Sequence, residues 1–515
     1  APFLHSLIAP SLTCVCAWRN RGRIESPGSQ VKKPGELAKE RPRSLAKSPA
    51  PFCRIRGETL GERAGVWVCE GQRKRMPGVE LIAMSGVRIV NPELRAMGLT
   101  LPGFIERGQV IASLPSLGLL TLAGATPEHW EIGYHEVDAL DEVQIQALID
   151  RQPTLIAISS LPARVDDAYA LLDRFRGAGI QTVIGGLHAS VRPDEAAQHA
   201  DAVVVGQGEW VWPDVLQDAE RGALQPRYSG MHDPKPLEDT PLPRFDLLDP
   251  SRYNRIPLQT TRGCPLDCQF CAASRLISPY KRKSIGRVRQ EIEAIQAIWP
   301  DPFIELADDN TFVNKKWGRE LAELFCQFPA IKWFTETDLS LADDPELLRL
   351  LARSGCAQVL IGLESTQPES LRDTDTGHWK LRQREQYREK IARIQDAGIS
   401  VNGCFVFGFD SDTPATFDAT LEFIQESGLS EVQITLLTPF PGTVLFDQMK
   451  AQGRLLKDRF WDQCTLFDVT FRPVGFTAEE LEARFRQMVA EAYSVEASRH
   501  RKALRTAIFR RRMSG

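Results

Sequence analysis

Cys264, Cys268 and Cys271 lie in Thr-Arg-Gly-Cys-Pro-Leu-Asp-Cys-Gln-Phe-Cys, at the end of the apolar-alternating run 256–261. Three thiolates at CxxxCxxC spacing on one loop can ligate three irons of a cubane cluster and leave the fourth iron open. Such cubanes are ordinarily held by four Cys, so a missing fourth protein ligand implies that a small molecule takes its place. A zinc site is the competing reading. It needs four ligands, usually as two short-spaced pairs, and no second Cys or His pair follows. Cys326, Cys356 and Cys404 are isolated in segments that read as helix or strand, where a lone Cys serves as a small core hydrophobe.

The elements that must position this loop are legible on both sides of it. Strands are expected at 79–84, 130–137, 155–159, 181–184 and 201–205, with helices between them, for example at 117–123 and 166–178. That alternation implies a parallel, doubly wound, Rossmann-like sheet, whose ligands bind beyond the strand carboxyl ends. Those ends carry Ser159-Ser160, Gly185-Gly186-Leu187-His188 and Gly206-Gln207-Gly208-Glu209. Small residues there let a backbone approach a bulky ligand closely. Residues 233–257 hold six prolines and no period, as an interdomain connection does.

Six further strands are expected at 256–261, 303–307, 331–337, 357–363, 401–407 and 431–437, separated by helical stretches. They match a partial (βα)6 barrel, with its site at the strand C-terminal ends. Asp308, Asp309 and Asn310 close the second of these strands, Glu364, Ser365 and Thr366 close the fourth, and Gly403 to Gly408 spans the fifth. Residues 461–473 read as extended and aromatic, and 478–497 as an amphipathic helix that can cap the barrel mouth. From Arg499 onward there are seven Lys/Arg and no acids, a basic tail suited to anionic lipid, to nucleic acid or to fraying into solvent.

The expected class is α/β. Residues 76–225 form the first domain, 226–255 a linker, 256–445 the barrel, and 446–515 a mostly helical C-terminal segment. Composition agrees with a globular chain, at 43% hydrophobic and 25% charged residues. Eleven Cys without a regular framework argue against a secreted disulfide scaffold. The longest apolar stretch, 110–125, contains Pro115 and falls short of a membrane span, and no signal-peptide pattern is evident. The expected location is the cytoplasm. Residues 1–75 hold 15 Lys/Arg against 6 Asp/Glu without sustained periodicity, and the first Met is Met76. They are expected to be a non-native or disordered extension, with a basic targeting or nucleic-acid-binding arm as the alternative.

The cysteine spacing at a strand end resembles the radical S-adenosylmethionine enzymes. The ordered Ser, Gly-Gly and Gly-x-Gly-Glu loops resemble the cobalamin-binding domain found ahead of many of them. The resemblance implies a [4Fe–4S] cluster on Cys264, Cys268 and Cys271, with the methionyl amine and carboxylate of the cofactor on the open iron. It points to Phe270, Asp308, Asp309, Glu364, Gly403 and Gly408 for S-adenosylmethionine. Ser159, Ser160, Gly185, Gly186, Gly206, Gly208 and Glu209 would line the slot for the cobalamin tail, with Gln207 where the family usually shows Glu. The family's better-known relatives carry Asp-x-His-x-x-Gly after the first strand; here the loop 85–116 contains no His, so cobalamin is expected to bind without a protein His ligand.

A cobalamin-dependent methylase is the function this resemblance implies, acting on an unactivated carbon or a phosphinate phosphorus. One S-adenosylmethionine supplies the methyl to cobalamin and a second is cleaved reductively to a radical. A flavodoxin or ferredoxin would serve as electron donor. The alternatives are an anaerobic porphyrin ring cyclase, a tRNA methylthiotransferase and a cobalamin sensor. The methylthiotransferases carry three further Cys in the N-terminal domain, and residues 76–225 contain none.

Overall fold

Runs such as Ile156-Ala157-Ile158 and Ala202-Val203-Val204-Val205 are buried on both faces, an arrangement that only a sheet covered by helices on both sides permits. The computed structural model describes residues 76–84, 89–98, 114–137, 140–231, 235–272, 278–372 and 374–514. The expectation for residues 1–75, and most of the His-free loop 85–116, fall outside that set.

Six parallel strands build the first sheet: β1 Gly78–Met84, β2 Glu131–Val137, β3 Leu155–Ser160, β4 Gln181–Gly185, β5 Ala202–Gly206 and β6 Arg227–Gly230. Their order is β2-β1-β3-β4-β5-β6. The winding therefore reverses between β1 and β3, where an open α/β sheet makes its ligand crevice. Ser159 and Ser160 stand at that reversal, opposite Ala83 and Met84 in the β1–β3 register. β6 corrects the sequence reading, which placed 226–255 wholly in the linker. The strand is only four residues, with burial alternating around Tyr228 and Gly230, too short for its period to stand out.

The second sheet is also six-stranded and parallel, in sequential order: β7 Ile256–Leu258, β10 Phe303–Leu306, β11 Lys332–Thr337, β12 Cys356–Glu364, β13 Ser400–Phe407 and β14 Glu431–Leu436. A two-residue hairpin, β8 Thr261–Arg262 with β9 Lys281–Arg282, flanks the cysteine loop. All six expected barrel strands are present. The helix Pro345–Arg353 shows why the intervening elements form. Asp344 caps it by accepting from the Leu347 amide at 3.0 Å, and Leu347, Leu348 and Leu351 bury one face.

The C-terminal segment straddles both sheets. Asp468 accepts from the Val90 and Asn91 amides at 3.1 and 2.7 Å, and Arg486 pairs with Glu93 at 2.9 Å. On the other side Trp461 donates its indole N–H to Glu195 at 2.9 Å, while Arg459 pairs with Glu195 and Asp166. The same stretch packs on the barrel, where the Leu436 amide donates to the Leu466 carbonyl at 2.7 Å. It is a clasp across the two domains.

The basic tail is not frayed. It forms the helix Val495–Ser514 and spends its arginines on the barrel. Arg505 pairs with Glu431 at 2.5 Å, Arg511 with Asp396 at 2.7 Å, and Arg512 donates to the Cys356 carbonyl at 2.8 Å. Three of the tail's seven basic side chains therefore bond to the barrel. Cys326 is exposed rather than in the core, whereas Cys356 and Cys404 are buried as expected.

Replacing Trp461 with Ala removes a buried indole and its bond to Glu195. We expect unfolding stability to fall by about 3 kcal/mol and limited proteolysis near residues 188–195 to accelerate. A melting curve and a protease time course check both.

Candidate functional site

Gly263 precedes Cys264 at φ +81, a left-handed conformation that costs an ordinary residue roughly 1–2 kcal/mol. A Cβ there would also fall 2.6 Å from the Ser278 carbonyl oxygen. The loop thus turns back on the hairpin because this residue is Gly. Its amide donates to Asp309 at 2.7 Å. Downstream, the Gln269 amide donates to the Thr374 carbonyl at 3.0 Å, and the Gln269 carbonyl accepts from the Leu445 amide at 3.1 Å. Asp267 accepts from the Thr376 amide at 3.0 Å and from its hydroxyl. The cysteine loop is therefore anchored by the end of the second strand, by Thr374 and Thr376 in the connection after the fourth, and by the start of the helix Val444–Ala451.

Asp308, expected at S-adenosylmethionine, is bonded to the strand that leads into the cysteine loop. Its carboxylate, 1% exposed, accepts from the Thr260 and Thr261 amides at 2.7 and 2.8 Å and from the Thr260 and Thr311 hydroxyls at 2.5 and 2.9 Å. Burial raises its pKa against those four bonds. Asp308 holds the entry to the cysteine loop.

Burial pushes the Cys264 thiol up to about 11 and the Cys268 thiol to about 12, so loading a metal must displace their protons. Beside them lies Lys380, a residue that no motif marked. It donates to Glu364 at 2.7 Å and to the Gly362 carbonyl at 2.8 Å. Burial disfavours its ammonium, but Glu364 and Cys268 outweigh burial and raise its pKa. Glu364, expected to contact S-adenosylmethionine, is thus engaged by a buried cation. It stands at φ +63, where the β12–β13 register shifts.

The barrel lumen is polar. Glu305 pairs with Arg255 at 2.7 Å, yet burial lifts its carboxyl to about 7. Burial, then Glu305, Asp309 and Cys271, hold the Glu336 carboxyl well above its usual range. Asn402 on β13 and Gln433 on β14 are 0% and 1% exposed. Among the described residues both amide atoms of Asn402 and the Gln433 carbonyl oxygen lack partners, bonding capacity that suits a buried nucleoside. Gly403 faces the other way: a Cβ there would meet Leu429 and Leu363 in the outer apolar layer. Gly408 lies under Phe471 and Leu481. A Cβ at either glycine would thus meet packing side chains, while the alternation along β13 puts Asn402 and Cys404 on the opposite face from Gly403. Phe270 packs edge-on to Phe409, with centroids 6.1 Å apart.

Three thiols on a loop anchored from outside fit an open-iron cluster. Among the described residues no three Cys, His, Asp or Glu side chains converge as a single metal ion requires.

At the first sheet, Gly186 has φ +102, and a Cβ there would lie 3.3 Å from the Ser159 hydroxyl and the Ser160 carbonyl oxygen. The missing Cβ and left-handed backbone of Gly186 thus let it pack closely against the Ser159-Ser160 end of β3. Gly185 has only ordinary contact with Val204, and Gly208 lies over Val204 and Leu122. Gly206 packs against Met231 and Gly230, 2.8–3.0 Å from its missing Cβ, so its smallness serves the passage of β6. His188, 1% exposed, is covered by Trp461 at 5.3 Å between centroids. Burial, with Arg192 and Arg459 nearby, drops its pKa to about 4. Glu209, expected at cobalamin, pairs with Arg262 at 2.6 Å.

Comparison with known proteins identifies the two domains. The radical SAM superfamily matches residues 258–424, and the B12 binding domain matches residues 108–216. Bacteriochlorophyllide d C-12(1)-methyltransferase of Chlorobaculum tepidum is 30% identical over 351 residues, 67% of this chain and 75% of that one. Anaerobic magnesium-protoporphyrin IX monomethyl ester cyclase of Rubrivivax gelatinosus is 24% identical, over 52% of this chain and 53% of that one. Among solved structures, the radical S-adenosylmethionine methyltransferase TsrM of Kitasatospora setae superimposes with TM-score 0.63 at 16% identity. The match covers 82% of this chain and 90% of that one, and it supports the shared fold.

Replacing Gly263 with Ala is expected to leave the folded chain largely without iron after anaerobic reconstitution. The Cys264, Cys268, Cys271 triple Ala variant should hold none; iron and sulfide assays measure both. Replacing Gly186 with Val should abolish cobalamin binding, read from the absorbance of the copurified cofactor, while leaving the iron content unchanged.

Proposed function

Because this chain belongs to the radical S-adenosylmethionine superfamily, among the members that carry a B12-binding domain, we propose that it methylates an unactivated carbon of its substrate. It is an enzyme whose cofactors are a [4Fe–4S] cluster, S-adenosylmethionine and cobalamin. When bound, the first two supply a 5′-deoxyadenosyl radical and cobalamin supplies the methyl group, while the protein positions them.

The chain's own residues divide that positioning. Cys264, Cys268 and Cys271 hold the cluster on a loop fixed by Asp308 and Asp309. Lys380 presents buried positive charge beside Cys268, and the methionyl carboxylate has the matching chemistry. Asn402 and Gln433 offer hydrogen bonds inside the barrel to the nucleoside. Ser159 and Gly186 form the cleft for the cobalamin tail at the β1–β3 reversal. The observation that carries the reading is this pairing: an anchored three-thiol loop on the barrel, bonded directly to the loop after β5 of the cobalamin domain.

The substrate is a small molecule, lipid or peptide. Relatives named for methylation and for cyclisation both act on tetrapyrroles, so a chlorophyllide is the first substrate to assay. A flavodoxin or ferredoxin reducing the cluster in the cytoplasm completes the proposal. No described helix is long and apolar enough to cross a membrane.

With reductant, S-adenosylmethionine and substrate, the enzyme should release 5′-deoxyadenosine and S-adenosylhomocysteine in near-equal amounts with each methylated product, as quantified by chromatography. Cys268→Ala should stop deoxyadenosine formation. Deoxyadenosine alongside an unmethylated, cyclised or oxygenated product would replace methylation with the cyclase reading.

A further inference from the structure

Arg262 stands two residues before the first cluster cysteine, and its guanidinium makes four hydrogen bonds. Its Nε and one terminal nitrogen donate to the Gln259 side-chain oxygen at 3.1 and 2.8 Å. The other terminal nitrogen donates to the Gln207 side-chain oxygen at 2.8 Å and to Glu209 at 2.6 Å. Gln259 lies on the barrel, whereas Gln207 and Glu209 lie on the loop after β5 of the cobalamin domain. The side chains of Arg262 and Glu209 are 15% and 9% exposed, so solvent screens this pair far less than a surface one.

The charge count is matched as well. One cation faces one carboxylate, and Gln207 contributes a neutral oxygen. A Glu at position 207 would add a second buried negative charge with no further cation to balance it, an expensive arrangement. Gln207 also keeps a buried side-chain N–H that has no partner among the described residues, a donor that a carboxylate would lack.

We propose that Arg262 is a positioning residue: through Glu209 and Gln207 it fixes the cluster loop relative to the cobalamin domain, and thereby sets the separation between radical source and methyl donor. The physical reason is leverage. Gly263 is the only residue between Arg262 and Cys264, and its amide is already tied to Asp309. A displacement at the Arg262 fork therefore passes directly into the cysteine loop. Misplacement by about 1 Å is enough to cost a reaction roughly 100-fold, while cleavage at the cluster, which needs no cobalamin, is spared.

The test uses the full-length holoenzyme and two variants on opposite sides of the interface, Arg262→Lys and Glu209→Gln. The first readout is pulsed electron paramagnetic resonance of the dipolar coupling between the reduced cluster and cobalt(II) in the resting protein. Wild type should give one narrow distance distribution, and both variants a broadened or shifted one at unchanged iron and cobalamin content. The second readout is the ratio of deoxyadenosine to methylated product. It should rise about tenfold in Glu209→Gln and less in Arg262→Lys, which keeps the charge. The exchanged pair Arg262→Glu with Glu209→Arg should recover part of the narrow distribution that Arg262→Glu alone loses. A narrow distribution and an unchanged ratio in Glu209→Gln would overturn the proposal. So would loss of the cluster in Arg262→Lys without any effect of Glu209→Gln, which would make Arg262 a support of the cysteine loop alone. Only the second readout rests on the proposed methylation. A wild type that cleaves S-adenosylmethionine but methylates nothing would sink that reading and leave the distance measurement standing.

Discussion

A loop that binds a cluster through only three of its own side chains must be held in shape by something other than the cluster. That constraint organises this molecule. Asp308 and Asp309 grip the loop at its start through backbone amides, and Gln269 and Asp267 are gripped further along. Arg262 ties its base to the neighbouring domain. Each grip uses a charged or backbone group where an enzyme with a fourth protein ligand would have used the metal. The acidic pair after the second strand therefore serves the architecture of the loop.

The lumen follows the same economy of charge. Glu305 has Arg255 beside it, and burial still raises its pKa; burial and two neighbouring acids raise that of Glu336 well above the usual carboxylate range. A cavity lined this way presents hydrogen-bonding groups with little net negative charge. That suits a cofactor carrying a sulfonium cation and a carboxylate, because neither charge is neutralised before Lys380 and the cluster are reached.

Much of this was legible in the sequence, and the failures have identifiable causes. Long two-face-buried runs marked the barrel strands, and turn residues marked their ends, so the six βα units emerged in order. β6 escaped because four residues carry too little period. The tail read as free because composition reports charge and not partners; Asp396 and Glu431, which pair with Arg511 and Arg505, lie more than 70 residues away in sequence. Glycines were the least transparent signal. Gly186, Gly206 and Gly403 look alike in sequence, and each packs against neighbouring strand or loop atoms where a Cβ would be crowded. Arg262 was visible in the Thr-Arg-Gly-Cys motif, but its role depends on a loop 53 residues upstream that only the fold brings near. Lys380 had no signal beyond being a lysine after the fourth strand.

The central claim, that the chain moves a methyl group by way of cobalamin onto a radical made at this cluster, is tested most directly by isotope tracing. S-adenosylmethionine bearing a fully deuterated methyl group would be supplied to the reduced holoenzyme with a chlorophyllide substrate, and the product examined by mass spectrometry. The account predicts transfer of the labelled methyl to a substrate carbon, with transient labelling of the bound cobalamin. A product carrying no label, with the substrate ring closed or oxidised instead, would contradict it.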